Sequence, residues 1–273
     1  MITVNIKGGL GNQMFQYACA RALALRNNDS LQLVRTEKSV DTSRVFSLVN
    51  FDIKGTIVDS FTPAFATKLK ELWEQKVLRR FYVGFEPSVM KRTGDTYLDG
   101  YFQSERYFID QAEQIRRDFR LKVTLGSAAE KWVNTIRHDD RAISLHVRRG
   151  DYVDHPDFGG IADREYYERA IDFMAKCIAP KFYVFSDDLE WCRRNLPLPQ
   201  DTTFVSHPSL KDYEELCLMS LCRHNVIANS SFSWWGAWLN PNPNKIVVAP
   251  ARWSHLHDQT WYSDIIPQSW KRL

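Results

Sequence analysis

The sequence lacks the long apolar runs that mark membrane-spanning and secreted proteins. No stretch approaches the roughly 20 consecutive apolar residues that cross a bilayer. The first methionine is followed directly by Ile2-Thr3-Val4-Asn5-Ile6, without the basic and apolar segments of a signal peptide. We therefore expect a cytoplasmic protein with no integral membrane segment. Peripheral association with the inner face of the membrane stays open.

Paired cysteines and a large excess of one charge are also missing. The cysteines Cys19, Cys177, Cys192, Cys217 and Cys222 are odd in number and never form a Cys-x-x-Cys pair, so neither a disulfide framework nor a zinc ribbon fits. Lys and Arg exceed Asp and Glu by 36 − 33 = 3. So small an excess does not indicate a nucleic-acid partner, because such proteins present a strongly basic face.

What remains is the composition of an ordinary globular protein. The 273 residues are 44% hydrophobic and 25% charged, which excludes disordered and low-complexity classes. At this length two domains are expected. We predict an N-terminal α/β domain over residues 1–138 and a C-terminal domain over 139–273, with the boundary in the region 125–141.

Short apolar segments alternate with amphipathic ones, and this alternation predicts an α/β fold with parallel sheets. The chain opens with a predicted strand (Thr3–Lys7), a glycine turn, a helix (about Asn12–Asn27, with Asn12 as N-cap) and a second strand (Leu31–Arg35). The less regular middle region predicts a helix near Phe65–Arg80 and a strand over Tyr97–Gln103.

From residue 141 the alternation is clearer and predicts a second doubly wound half. Its predicted strands are Ala142–Val147, Phe182–Ser186, Thr203–Ser206, Asn225–Ala228 and Lys245–Val248. Its predicted helices are Glu165–Ala179, Leu189–Asn195, Asp212–Cys222 and Ser231–Leu239.

The first candidate binding segment is the turn Gly8-Gly9-Leu10-Gly11-Asn12-Gln13. Glycines let the backbone approach a ligand closely, and free N–H groups at a helix start suit an anion. The spacing differs from the Gly-x-Gly-x-x-Gly pattern of dinucleotide-binding proteins. The turn therefore indicates either an anion site or only a tight turn.

The second candidate is His146-Val147-Arg148-Arg149-Gly150-Asp151, which leaves the carboxyl end of a predicted parallel strand, where ligands of such sheets bind. Strand alternation would send Arg148 and Arg149 to opposite sides. We favour Arg148 for the ligand, because a guanidinium fork matches a phosphate bidentately. The alternative is that both arginines solvate a loop and that Asp151 pairs with one of them.

The third candidate is Ser186-Asp187-Asp188, directly after a predicted apolar strand. The two acids can bind a base, a ribose or a metal, or one of them can cap the next helix. A metal site is the weaker interpretation, because hard cations need several oxygen ligands and no second acid cluster has matching placement.

The fourth candidate runs from Asn229 to Trp238, with the small residues Ser230 and Ser231 at a predicted helix start. Hydroxyls and backbone N–H groups at such a start suit a phosphate. The alternative is that one serine caps the helix, and we expect Trp235 and Trp238 to fill the core. Both interpretations can hold together.

Taken together, these four segments resemble the alpha-1,2-fucosyltransferases of glycosyltransferase family 11, in its bacterial form without a membrane anchor. The blocks that carry the resemblance are Gly8–Tyr17, His146–Asp151, Phe185–Asp188 and Asn229–Leu239. The resemblance implies a GT-B architecture, with two Rossmann-like halves facing across a cleft and GDP-fucose held mainly by the C-terminal half. It also implies inverting, metal-independent transfer of L-fucose from GDP-β-L-fucose to the 2-hydroxyl of a terminal galactose in a glycan.

The resemblance assigns roles by position. Arg148 should grip the diphosphate, His146 and Asp188 should lie near guanosine, and Ser230–Phe232 should meet phosphate. The substrate-binding set that it implies is Gly9, Gly11, Asn12, Gln13, His146, Asp187, Asp188, Asn229, Ser230, Ser231 and Phe232.

Inversion in a single displacement requires a general base for the incoming hydroxyl. Asp151 is the candidate, because it follows Arg148 by only three residues and must therefore lie near the cleft. Its alternative role is a salt bridge with Arg149. Glu165, Asp163 and Glu105 are the other candidates for this base.

Two competing functions are a transferase for another nucleotide sugar and a non-catalytic carbohydrate-binding protein.

Overall fold

The computed structural model describes residues 1–35, 45–61, 83–255, 262 and 264–273, and the chain forms two compact units. The first unit contains Met1–Val123 with Asp258–Ile266, and the second contains Thr124–His257 with Pro267–Leu273. This division differs from the predicted boundary at residue 138, because the helix Ser127–Arg137 belongs to the second unit. Glu214 holds its start there by accepting a hydrogen bond from the Gly126 amide at 2.6 Å.

The described part of the first unit contains a parallel sheet and three α-helices. Its strands are β1 (Ile2–Ile6), β2 (Leu31–Arg35), β3 (Thr56–Val58) and β4 (Thr96–Leu98), in the order β3-β2-β1-β4. Its helices are α1 (Leu10–Arg26), α2 (Pro87–Met90) and α3 (Ala112–Asp118). The predicted inner face of α1, formed by Phe15, Cys19, Ala22 and Leu23, is buried.

The second unit contains a larger parallel sheet. Its strands are β5 (Ala142–Val147), β6 (Lys181–Ser186), β7 (Thr203–Phe204), β8 (His224–Val226), β9 (Val247–Ala249) and β10 (Lys271–Arg272), in the order β10-β9-β8-β5-β6-β7. Its helices are α4 (Ser127–Arg137), α5 (Arg164–Cys177), α6 (Leu189–Asn195), α7 (Asp212–Leu221) and α8 (Ser231–Leu239).

Strand β5 lies in the middle of this sheet, and all six of its residues are buried. Helix α5 packs on it, and two buried tyrosines bind carbonyl groups at the strand ends. The Tyr167 hydroxyl donates to the His146 carbonyl at 3.0 Å, and the Tyr166 hydroxyl donates to the Ile227 carbonyl at 2.6 Å. These bonds fix the backbone from which the candidate site begins.

The expected α/β class with two Rossmann-like halves is confirmed. The boundaries of β5, α6 and α8 agree with the prediction, and the other predicted strands and helices of the second half shift by one to two residues at their ends. Helix α4 and strand β10 were not predicted, and the helix expected near Phe65–Arg80 lies outside the described residues. Along the described segments, none of the helices is long and apolar enough to cross a membrane.

Candidate active site

The candidate site lies at the carboxyl ends of β5 and β8. These two strands are neighbours in the sheet, and the strands that follow them in the chain lie on opposite sides: β6 and β7 beyond β5, and β9 and β10 beyond β8. Open parallel sheets bind ligands at such a switch point. Arg148 follows β5, and Ser230 precedes the helix after β8. The rings of His146 and Phe232 lie 5.7 Å apart between centroids. The fold therefore brings the second and fourth candidate segments together.

Arg148 is held by two carboxylates while about a third of its side chain stays exposed. Its Nε and Nη2 donate to Asp151 Oδ1 at 2.9 and 2.6 Å, and its Nη1 lies 3.0 Å from Asp187 Oδ2. The guanidinium carbon is 5.7 Å from the centre of the Tyr152 ring. A positively charged fork is thus fixed at the carboxyl end of the central strand.

Arg149 faces a different set of partners. Its Nε donates to Asp188 Oδ2 at 3.2 Å, and its guanidinium carbon lies 4.2 Å from the centre of the Trp191 ring. Asp151 thus pairs with one of the two arginines, as the alternative interpretation expects, and the choice of Arg148 for the ligand stays a prediction. The different partners of Arg148 and Arg149 do not come from strand alternation, because β5 ends at Val147.

The alternative pairing of Asp151 with Arg149 is wrong. A 3₁₀ turn over Gly150–Tyr152 follows the strand and returns the Asp151 carboxylate to the residue three positions earlier, which is Arg148.

The adjacent acids Asp187 and Asp188 have separate roles. Asp188 is the N-cap of α6 and accepts a hydrogen bond from the Trp191 amide at 3.0 Å, so the capping alternative is confirmed for this residue. Asp187 Oδ1 accepts from the Arg149 amide at 2.9 Å. Across the described ranges, no group of three or more His, Cys, Asp or Glu side chains is placed to hold a metal ion.

His146 is a buried, neutral imidazole. Burial, followed by the positive charge of Arg148, lowers its pKa from 6.5 to about 3. Its side chain is 5% exposed, and Nδ1 has no hydrogen-bond partner among the described residues. A buried nitrogen of this kind normally has a partner. The described part of the chain thus leaves one buried polar atom of this segment without a hydrogen bond.

The start of α8 presents backbone and hydroxyl groups at the same edge. Ser230 is the N-cap residue, as the capping alternative expects, but its side chain makes no capping hydrogen bond. Trp235 and Trp238 are buried as expected. The side-chain amide of Asn229 donates through Nδ2 to the Phe158 and Trp253 backbone carbonyls at 3.1 and 3.2 Å. That amide therefore fixes the segment before the helix.

The glycine turn belongs to the first unit, and its helix starts earlier than predicted. Helix α1 begins at Leu10 with Gly9 as N-cap, so Asn12 is not the N-cap and lies with Gly11 in the first turn. The helix can start there because Gly8, with φ of +79°, turns the chain out of β1. Asn12 Oδ1 accepts from Gln103 Nε2 at 2.8 Å.

Gln13 was expected to bind substrate, but its side chain is committed to the protein. It is 2% exposed, its Nε2 donates to the Gly8 and Val45 carbonyls, each at 2.9 Å, and its Oε1 accepts from the Ser47 amide at 3.0 Å. Helical spacing turns this side chain toward the interior, where buried amides must be hydrogen-bonded. Gln13 therefore stabilises the glycine turn through hydrogen bonds inside the protein.

The three other candidate proton acceptors belong to other helices and turns. Asp163 is the N-cap of α5 and accepts from the Tyr166 amide at 2.8 Å. Glu165 is on the exposed first turn of the same helix, with its Oε2 4.0 Å from Arg169 Nη1. Glu105 belongs to a 3₁₀ turn of the first unit. Of the candidate acids, Asp151 alone is bonded directly to Arg148 among the described contacts.

Glu215 is a titratable group that the sequence analysis missed. Burial is the main cause that raises its pKa from 4.5 to about 7; a hydrogen bond with Ser206 opposes the shift, and the charges of Asp187 and Asp212 add to it. The sequence indicates only an acidic first helix turn at Asp212–Glu215, because adjacent acids there complement the helix dipole. Only the tertiary contacts distinguish Glu215 from Glu214.

We expect Glu215→Gln to stabilise the protein at pH 8 and to leave stability unchanged near pH 4. The folded state keeps the Glu215 proton up to a pKa of about 7, whereas the unfolded chain releases it near 4.5. Wild-type stability is therefore lost as pH rises through this window, by about 3 kcal/mol. Urea unfolding of both proteins from pH 4 to pH 8 measures the difference.

The neighbouring variant Glu214→Gln is the matched control. Glu214 accepts from the Gly126 and Lys211 amides at 2.6 and 2.9 Å, and an amide retains only one of the two acceptor oxygens. We expect this variant to lose stability at pH 8. A stability difference for Glu215→Gln that does not change with pH would contradict the assignment.

Comparison with known proteins finds relatives along the whole chain. A family model described as Glycosyl transferase family 11 matches residues 1–272. The alpha-1,2-colitosyltransferase of Escherichia coli is 32% identical over 100% of this chain and 99% of that protein. The O-antigen biosynthesis glycosyltransferase WbnK, also from Escherichia coli, is 32% identical over 91% and 93%. Galactoside alpha-(1,2)-fucosyltransferase 1 of Homo sapiens is 30% identical over 87% of this chain and 65% of the human protein.

Solved structures resemble the fold at much lower identity. The fucosyltransferase NodZ from Bradyrhizobium has a TM-score of 0.55 at 14% identity and covers 86% of this chain and 92% of its own. POFUT1, solved in complex with GDP-fucose, has a TM-score of 0.51 at 12% identity and covers 91% and 97%. These likenesses show a shared fold.

Proposed function

The chain belongs to glycosyl transferase family 11 and is a glycosyltransferase, and from this premise we propose that it transfers L-fucose from GDP-β-L-fucose to the 2-hydroxyl of a terminal galactose. The reaction inverts the configuration at the transferred carbon. The observation that carries the proposal is the Arg148 guanidinium, which Asp151 holds at the switch point of the sheet, in a segment whose His146 ring lies 5.7 Å from the Phe232 ring in the first turn of α8. A cation and a helix start at one edge suit an anionic leaving group.

The leaving group of this reaction is GDP, on which negative charge develops as the bond to fucose breaks. Preorganised donors that meet developing charge are the largest catalytic effect in many enzymes. Arg148 supplies the charged fork, and Ser230 and Ser231 supply groups at the start of α8. Phe232 completes this segment beside His146.

The nucleoside would lie next to this diphosphate position. The unpartnered Nδ1 of the neutral His146 supports a hydrogen bond with guanosine. Asp188 keeps acceptor capacity after capping α6 and pairing with Arg149, because a carboxylate can accept about four hydrogen bonds. In the first unit, Gly9, Gly11 and Asn12 remain the proposed contributors to substrate binding.

Proton removal from the acceptor hydroxyl is assigned to Asp151. Its side chain is 43% exposed, and it accepts from Arg148 through Oδ1. Inversion by a single displacement places the base on the face of fucose opposite the departing GDP, so the assignment requires Asp151 to face the acceptor hydroxyl while Arg148 faces the diphosphate. The 2-hydroxyl proton would pass to the carboxylate while the oxygen attacks the anomeric carbon and GDP departs.

Colitose is the second candidate for the transferred sugar. The relative named as an alpha-1,2-colitosyltransferase matches the whole chain at 32% identity. The two names alpha-1,2-colitosyltransferase and O-antigen biosynthesis glycosyltransferase support a bacterial surface glycan as acceptor.

The five cysteines are free thiols, which supports the proposed cytoplasmic location.

A panel of donors and acceptors tests the proposal. Purified protein is incubated with GDP-fucose, the activated form of colitose, GDP-mannose or UDP-galactose and with galactose-terminated oligosaccharides, and the product linkage is determined by NMR. We expect GDP release and an α1→2-linked fucose. Transfer of colitose in preference to fucose selects the second candidate, and glycan binding without turnover of any donor would reject both.

We expect transfer activity to be unchanged in excess EDTA. The proposal assigns the charge of the departing GDP to Arg148 and backbone donors, so no metal ion is required at the leaving group. The measurement is the initial rate of GDP release before and after chelation. A rate that falls with EDTA and returns with Mg²⁺ or Mn²⁺ would contradict this assignment.

A further inference from the structure

Asp187 holds both the backbone and the side chain of the arginine segment. It follows β6, the neighbour of β5, and its two oxygens have different partners. Oδ1 accepts from the Arg149 amide at 2.9 Å, and Oδ2 lies 3.0 Å from Arg148 Nη1. One carboxylate therefore connects the ends of two adjacent strands and restrains the Arg148 fork.

Gly150 provides the space that this carboxylate occupies. A Cβ atom at position 150 would lie 2.8 Å from Asp187 Oδ2 and 3.5 Å from its Cγ, and the first distance is shorter than real Cβ contacts. Gly150 is not among the residues with positive φ, so its backbone suits other residues. A Cβ atom here would displace the Asp187 carboxylate, so glycine allows its close approach.

We propose that Asp187 is a positioning residue, which orients the Arg148 guanidinium toward the leaving diphosphate. Gly150 leaves the space that the Asp187 carboxylate needs for this role. This inference rests on the proposed function, because it presumes an anionic leaving group. It differs from the role implied by the family resemblance, in which Asp187 binds substrate.

The positioning role has a distinct kinetic signature. A carboxylate beside the diphosphate repels it, so removal of the charge should not weaken ground-state binding of GDP. The Arg148 guanidinium stabilises the transition state more than bound GDP-fucose, because negative charge develops on the leaving group only as the bond breaks. Without the Asp187 carboxylate the guanidinium is no longer held in place, and kcat should fall. A direct nucleoside contact predicts the reverse, with weaker GDP binding and kcat retained.

A purely structural role predicts a third result, which is a lower melting temperature. Asp187 and Arg148 are 26% and 34% exposed, and partly exposed ion pairs contribute little to stability. Positioning and folding can therefore be separated by experiment.

The test uses Asp187→Asn, Asp187→Ala, Gly150→Ala and the double variant Gly150→Ala/Asp187→Ala in the full chain. For each protein, kcat for GDP-fucose, the Kd of GDP and Tm are measured. We expect each single variant to lose roughly 10- to 100-fold in kcat, with Kd equal to or lower than that of wild type and Tm unchanged.

The double variant shows whether Gly150 acts through Asp187. The added Cβ meets only Asp187 among its close neighbours, so with alanine at 187 the second substitution should cost no further activity. Asp201→Asn is the matched control, since Asp201 is an exposed aspartate whose Oδ2 lies 3.4 Å from Arg141 Nη2. We expect this control to behave as wild type.

Four outcomes would overturn the inference. A raised Kd with kcat retained would make Asp187 a nucleoside contact. A lower Tm with unchanged kcat would make it structural, and wild-type kcat and Kd in Asp187→Asn would deny it any role. Additive losses in the double variant would separate Gly150 from Asp187. If wild-type protein turns over no nucleotide sugar, the proposed function fails and the inference fails with it. An active wild type with any of the four outcomes rejects the inference alone.

Discussion

Arg148→Lys is expected to abolish nearly all transfer, although the positive charge is kept. The wild-type guanidinium binds Asp151 through Nε and Nη2 and Asp187 through Nη1, and it presents a planar fork. Lysine offers a compact point charge and cannot reproduce that bidentate geometry. Because the contact strengthens as GDP takes on charge, its loss should raise the barrier by about 2 to 4 kcal/mol. We expect kcat to fall by roughly two orders of magnitude and the affinity for GDP to fall as well.

The neighbouring variant Arg149→Lys is the matched control for charge and chain position. The Arg149 guanidinium lies over the Trp191 ring, and lysine lacks that planar group, so the replacement should lower Tm modestly and leave most of kcat. Measurements of kcat, GDP affinity and Tm for both variants decide the assignment. Wild-type turnover in Arg148→Lys, or exchanged phenotypes of the two variants, would show that the wrong arginine has been assigned to the diphosphate.

Asp151→Asn is expected to fold normally, to bind GDP and to lose most transfer. The side chain is 43% exposed, so its ion pair contributes little to stability. An amide cannot take the proton of the acceptor hydroxyl, and general base catalysis contributes roughly 10²- to 10⁴-fold. The measurements are kcat for transfer, the Kd of GDP and Tm.

Asp154→Asn is the control for this prediction, because Asp154 is an exposed aspartate three residues further along the same loop. It should retain wild-type transfer. Near-normal transfer in Asp151→Asn would move the proton acceptor to another acid. A large loss of GDP affinity in Asp151→Asn would show instead that Asp151 mainly orients Arg148.

The strands and helices of the second half could be predicted because local pattern and tertiary environment agree there. Four of the six residues of Ala142–Val147 are apolar and all six are buried, as expected for a strand that is covered on both faces. Ser231–Leu239 and Leu189–Asn195 begin after small or acidic capping residues. The first helix was placed two residues late, because Gly9 takes the N-cap position that the sequence pattern offers to Asn12.

The sequence by itself determined the fold class, the family and the candidate binding segments, because motifs and periodicity are local properties of the chain. Only the tertiary structure decided which partner each polar side chain takes. It commits Gln13 to the interior, returns Asp151 to Arg148, and separates the capping Asp188 from Asp187. It also raises the pKa of Glu215 through burial and through the nearby charge of Asp187. Hydrogen bonds and charge interactions depend on distances of a few ångströms between strands and helices far apart in sequence, and no local pattern encodes those distances.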